Sequence, residues 1–155
     1  MSLRRNSIYT MMAVALILTS CSRQIVYSHY ESIDTEGWNR NDCKDFRVTV
    51  REKDTYTEMI GLRTTMYYPY ANLSVIVSQQ TQRSGIQHTD TLHIRLMDEE
   101  GNKVGQGTNY QQMEIPVRTI ELEDEDTLLV SIRHYMKREV LPGITDVGVS
   151  LEIED

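Results

Sequence analysis

Basic charge is in short supply in this chain. Lys and Arg total 16 against 23 Asp and Glu, leaving a formal charge of −7. That balance weighs against nucleic acid, whose binding relies on clustered Lys and Arg, and against adhesion to anionic lipid headgroups. Helical patterning is also missing: no segment of useful length repeats its apolar residues at 3.6-residue spacing. There is no G-x-S-x-G elbow, glycine-rich phosphate loop or H-E-x-x-H helix, so nothing points to an enzyme. No internal repeat or low-complexity stretch divides the chain. No apolar run reaches the roughly 18 residues of a spanning helix.

The longest apolar stretch is Met11–Leu18, preceded by Arg4 and Arg5. Its length and its positive start suit an export signal. It ends in Leu18-Thr19-Ser20-Cys21, a lipobox: leucine, two small residues, then a cysteine whose thiol can carry diacylglycerol as a thioether. Residues 1–20 are therefore expected to be removed and Cys21 to become a lipidated first residue, with or without an N-acyl chain. Two acyl chains give stable membrane attachment where one does not, at about 0.8 kcal/mol per buried methylene. No acidic residue follows directly in Ser22-Arg23-Gln24-Ile25, which favours the periplasmic face of the outer membrane.

Cleavage leaves 135 of the 155 residues and shifts the charge from −7 to −9, since the signal carries two arginines and no acid. That length suits one domain, burying about two-thirds of its unfolded surface. With Cys21 lipidated, Cys43 stands alone and cannot form an internal disulfide. It lies in Asn41-Asp42-Cys43-Lys44-Asp45 with no base in view, and reads as an incidental thiol.

Alternation with period two recurs along the body. Phe46, Val48 and Val50 share one parity, as do Ile60, Leu62, Thr64 and Met66, then Leu73, Val75 and Val77. Leu92, Ile94 and Leu96 follow, then Leu128 through Met136, and Val147, Val149, Leu151 and Ile153. Each run offers one apolar face to a shared core. Gln24–Tyr30 and Met113–Val117 are shorter candidates, and Pro116, lacking an N–H, confines its strand to an edge or a bulge. Turn signals separate the runs, among them Ser84-Gly85, Glu100-Gly101-Asn102 and Pro142-Gly143. The expectation is an all-β fold: a single antiparallel β-sandwich over residues 31–155, Ig-like or jelly-roll in topology, behind a tether or first strand at 21–30.

Few residues offer chemistry. His88, Asp90 and His93 cannot all face one way on a strand, and zinc needs three or four ligands. His134 falls on an apolar parity and reads as a hydrogen-bonded core histidine. The acidic run Glu121–Asp126 lacks the pattern of a calcium loop. No cofactor or metal is expected. The aromatics remain: Trp38 after Gly37, and Tyr67-Tyr68-Pro69-Tyr70 between two strands. Trp38, Tyr68 and Tyr70 are the candidate partner-binding residues, able to anchor a protein or stack on a sugar. The other reading is that they cap the open end of the sandwich.

Taken in order, Val26-Tyr27, Tyr30, Gly37-Trp38, Tyr68-Pro69-Tyr70 with Asn72-Leu73, Asp90-Thr91-Leu92, Gly101, Gly105, Gly107, Ile115-Pro116 and Leu141-Pro142-Gly143-Ile144 with Asp146-Val147-Gly148 resemble the GldH family of gliding-motility lipoproteins from the Bacteroidetes. The likeness spans nearly the whole mature chain and departs from the family pattern at the acidic Glu121–Thr127. It implies a non-enzymatic envelope lipoprotein that supports gliding, is linked to type IX secretion and acts on other envelope proteins. It supplies no catalytic residue to carry over. The alternative is a carbohydrate-binding β-sandwich using Trp38 and the tyrosines.

Overall fold

A computed structural model describes residues 23–153; the signal segment and Cys21 lie outside them. The described residues contain no helix. Ten strands follow in order: β1 (Gln24–Ser32), β2 (Trp38–Asn39), β3 (Lys44–Thr49), β4 (Asp54–Thr65), β5 (Asn72–Thr81), β6 (Gln87–Arg95), β7 (Tyr110–Leu122), β8 (Thr127–His134), β9 (Val140–Leu141) and β10 (Ile144–Ile153). The eight long strands form two antiparallel sheets, β1-β10-β4-β7 and β3-β8-β5-β6, while β2 and β9 pair separately. Numbering only the long strands, the orders are 1-8-3-6 and 2-7-4-5, the jelly-roll arrangement of two Greek keys. Of the two expected topologies, the Ig-like one is thereby excluded.

The alternation read from sequence is the burial pattern of the strands. Phe46 and Val48 of β3, Leu73, Val75 and Val77 of β5, Leu128, Val130 and Ile132 of β8, and Val147, Val149 and Leu151 of β10 all bury against Ile60 and Leu62 of β4 in one core. β4 and β7 extend further than expected, because Asp54–Thr57 and Arg118–Glu121 each hold a single large apolar residue, Tyr56 and Ile120, and show no alternation of their own. β1 begins at Gln24, so of the tether or first strand expected at 21–30, residues 24–30 belong to an edge strand paired with β10. β7 is the opposite edge of that sheet, and its register on β4 shifts between Pro116 and Arg118. Proline thus occupies both an edge and a bulge, where a missing N–H breaks no ladder bond.

On the outer face of the same sheet, Tyr30, Gly148, Gly61 and Glu114 form one cross-strand row. The Tyr30 ring lies across both glycines. A Cβ at Gly61 would stand 2.3 Å from the Tyr30 oxygen, and one at Gly148 2.7 Å from its ring. The Arg63 guanidinium covers the ring at 4.1 Å and donates to Gln112 Oε1 at 3.0 Å. The glycines are required by this close approach, not by a turn.

One core position carries a charge-bearing residue. Glu58 of β4 lies on the buried parity between Tyr56 and Ile60 and is fully buried. Its Oε2 accepts from Gln79 Nε2, while Oε1 has no partner among the described residues. Beyond Gln79, Arg118 faces Asp90 at 3.9 Å across the edges of the two sheets. Burial, reinforced by the nearby Asp90 charge, raises the Glu58 carboxyl to about 8 against the pull of Arg118 and Gln79. Between the free value of 4.5 and about 8 the folded state holds the extra proton, so stability falls as pH rises through that window. Glu58→Gln should remove this slope: urea melts are expected to match wild type near pH 4.5 and to gain on the order of 3 kcal/mol by neutral pH. A mutant that keeps the wild-type pH slope would contradict a neutral buried carboxyl.

Candidate functional site

The connecting loops gather at the two ends of the sandwich. The N-terminal end holds Gln24, Ile153 and the loops at 50–53, 82–86 and 123–126. The distal end holds the loops at 66–71, 96–109 and 135–143, with β2 and β9.

The distal end is closed by a plug that collects the aromatic motifs. Gly37, at φ +117°, lets the chain pass so close to β9 that a Cβ would sit 2.5 Å from the Leu141 carbonyl oxygen. Trp38 then pairs with Leu141 and is fully buried. Its indole N–H donates to the Asp42 carbonyl at 2.9 Å, and its ring meets His134 edge-on at 5.4 Å. His134 Nε2 points at the carbonyls of Trp38 (3.0 Å) and Glu139 (3.2 Å), and the Met136 N–H donates to Nδ1 at 3.3 Å. Those partners place the proton on Nε2 and leave the ring neutral, and burial lowers its pKa. From the other side, Tyr68 is buried, donates to the Asn72 carbonyl at 2.9 Å and stands edge-on to Tyr70 at 5.7 Å. Gly143, at φ +82°, packs against its backbone nitrogen, and burial raises the Tyr68 phenol.

Trp38 and Tyr68 are buried, which is the arrangement of the capping reading and not that of rings presented to a partner or a sugar. Tyr70 is half-buried against Tyr68. The neighbouring Tyr67, not expected as a site, is 86% exposed. Met66, Val104, Tyr110 and Tyr135 are exposed at the same end. Sequence parity has no meaning inside a loop, so nothing in the sequence distinguishes Tyr67 from Tyr68.

The remaining candidates are dispersed. Asp90 faces Arg118, and His93 Nδ1 bonds Ser74 Oγ at 2.8 Å on the opposite side of β6. His29 pairs with Glu31. In the acidic run, Glu123 holds Lys53 at 2.8 Å, Asp124 accepts from the Lys53 N–H, and buried Asp126 accepts from the Thr127 and Arg83 N–H groups. Asp98 accepts from Asn102 and Glu100, closing a hairpin turn. Cys43 is an exposed free thiol. Among the described residues no three His, Cys, Asp or Glu groups converge to hold a metal.

The family model for the GldH lipoprotein matches residues 25–151. The chain belongs to the GldH lipoprotein family. The gliding motility lipoprotein GldH of Flavobacterium johnsoniae is 27% identical over 94% of this chain and 95% of its own. A GldH homolog from Christiangramia forsetii is 24% identical, with 96% of each chain covered. Among solved structures, a family 35 carbohydrate-binding module from Clostridium thermocellum covers 83% of this chain and 97% of its own at 10% identity, with a TM-score of 0.42. Gly37-Trp38, Tyr68 and Leu141-Pro142-Gly143, which carry much of the GldH resemblance, meet in this plug. For this member of the GldH family they act as packing residues.

Trp38→Ala and Tyr68→Ala should each cost about 3–5 kcal/mol of folding stability, whereas Tyr68→Phe should lose only about 1 kcal/mol with its one hydrogen bond. Tyr67→Ala should leave the melting curve almost unchanged. Calorimetry on the four variants checks this, and a stable Trp38→Ala protein would refute the plug.

Proposed function

We propose that this GldH-family protein is a non-catalytic accessory of the gliding-motility and type IX secretion apparatus. Lipid on Cys21 holds it to the periplasmic face of the outer membrane, and its distal end docks on another envelope protein. The observation that carries the docking reading is the placement of exposed apolar side chains. Of the eight large hydrophobic residues exposed among those described, Met66, Tyr67, Val104, Tyr110 and Tyr135 lie at the distal end. Tyrosine and methionine bring large contact area to recognition surfaces, and loops carry such residues on a rigid scaffold.

The other end suits a membrane-proximal position. Gln24 stands three residues after Cys21, a reach of roughly 10 Å when extended. The loops beside Gln24 mix Glu52, Glu123, Asp124 and Glu125 with Arg51, Lys53 and Arg83, so they offer no basic cluster to add headgroup attraction to the acyl anchor. Attachment at this end holds the loops that carry Met66, Tyr67 and Tyr135 away from the bilayer.

Two measurements test the reading. Cys21→Ser should abolish palmitate labelling and leave an uncleaved precursor, and equal labelling of the mutant would end the lipid-anchor assignment. A photo-crosslinking amino acid at Tyr67, placed in the lipidated protein in its native cells, should give one discrete adduct with another envelope protein. The same probe at exposed Ile86 of the opposite end should not. Tyr67→Ser with Met66→Ser should remove gliding or secretion while leaving protein level and lipidation intact. An adduct at Ile86 alone, or full function in the double mutant, would overturn distal docking.

A further inference from the structure

A groove of about 860 Å³ runs along the outer face of the β1-β10-β4-β7 sheet, within the size range of about 300–1,000 Å³ common to ligand sites. Its floor includes Met59, whose register partner on β10 is Ser150. One wall is the 104–110 segment, which folds back along β7: Gln106 and Gln112 exchange backbone hydrogen bonds at 2.8 Å each way. Gly107, at φ +123°, allows the tight return, since a Cβ there would meet the Tyr110 carbonyl oxygen at 2.2 Å. The groove continues to Glu152 near the N-terminal end, whose carboxylate is almost fully buried and faces Arg23 at 3.8 Å.

The lining mixes amides with a few charged and apolar groups. Asn109, Gln106 and Gln112 supply planar amides that both donate and accept. Glu114, exposed, supplies an acceptor pair, Glu152 is held by Arg23, and Tyr110, half exposed, stands at the wall. Next to the floor, Ser150 is 3% exposed and its Oγ has no hydrogen-bond partner among the described residues. Planar amides and carboxylates match adjacent hydroxyls two at a time, and an aromatic face packs against C–H groups. Arg23 balances Glu152, and the exposed Glu114 carboxylate disfavours phosphate, sulfate and uronate ligands beside it.

We propose that this groove is a binding site for a short neutral oligosaccharide, stacked on Tyr110 and hydrogen-bonded by Gln112, Glu114 and Asn109. The site is separate from the docking crown in its ligand, although Tyr110 borders both. It does not use Trp38 or Tyr68, and it can stand or fall independently of the docking reading.

The test is two-dimensional amide NMR on the lipidated protein in dodecylphosphocholine micelles, a detergent without sugar. The titrants are chitotetraose, cellotetraose and, as an anionic control, tetragalacturonate. A neutral tetrasaccharide should shift the amides of Tyr110, Gln112 and Glu114 and leave those of Ser78 and Ser131, on the opposite sheet, in place. Tyr110→Ala and Glu114→Ala, both on exposed positions, should keep the melting temperature and weaken binding by roughly tenfold each. No shift with either neutral sugar would overturn the site. So would stronger binding of the galacturonate, or unchanged affinity in both variants.

Discussion

The distal end of the sandwich depends on one imidazole. His134 closes β8 on the buried parity, and its Nε2 proton is shared between the carbonyls of Trp38 and Glu139, one from each side of the β2–β9 pair. Those carbonyls belong to segments too short to hold themselves in place, since two residues of antiparallel pairing form no cooperative ladder. The ring also supplies the edge against which Trp38 packs, and Trp38 in turn fills the space beneath Leu141. A protonated ring would lose the Nδ1 acceptor used by the Met136 N–H, so the neutral form is the structural one. Because Tyr68 closes the other side over Gly143, the whole plug is one packing unit with residues drawn from separate loops.

The same contrast between long strands and short plug segments decides what is legible in the chain. The long strands are legible because burial on one face enforces alternation of apolar residues, and β3, β5 and β8 bury every second residue along their inner face. Pro116 is legible for a different reason, since a missing donor restricts a residue wherever it stands. The plug strands are not, because two residues carry no period. Glu58 escapes a sequence reading because a carboxylate on the core parity contradicts the pattern that defines the strand, and only its contact with Gln79 explains how it is accommodated. Gly61 and Gly148 do carry a signal: an isolated glycine inside a strand marks a close approach. Tyr30, which makes that approach, lies far away in sequence.

The candidate site is less legible than the fold. Trp38 and Tyr68 stand out as large aromatics beside Gly and Pro, and that context suits a loop tip and a core seal equally well. Geometry separates them. Trp38 and Tyr68 direct their polar atoms to backbone carbonyls inside the protein, whereas Tyr67 is largely exposed. A resemblance built on Gly37-Trp38 and Leu141-Pro142-Gly143 therefore identifies how the GldH domain is closed, and says little about which surface meets a partner.

The placement of the long exposed loops follows from the jelly roll itself. Antiparallel strands send alternate connections to opposite ends, so β3–β4, β5–β6 and β7–β8 turn at the N-terminal end and β4–β5, β6–β7 and β8–β10 at the distal end. The first set is short and its side chains are consumed in closing turns, as Asp124 and Asp126 are by backbone N–H groups. The second set is longer, and after the plug is filled it has residues to spare: Met66, Tyr67, Val104 and Tyr135 contribute nothing to the core and remain exposed. Exposed apolar side chains have no folding role to explain them, and long loops are the places where a rigid scaffold presents recognition groups. In the proposed orientation, lipid at the end with the short loops leaves the long ones free, so the topology that closes the core also sets which end of the domain is offered to a partner.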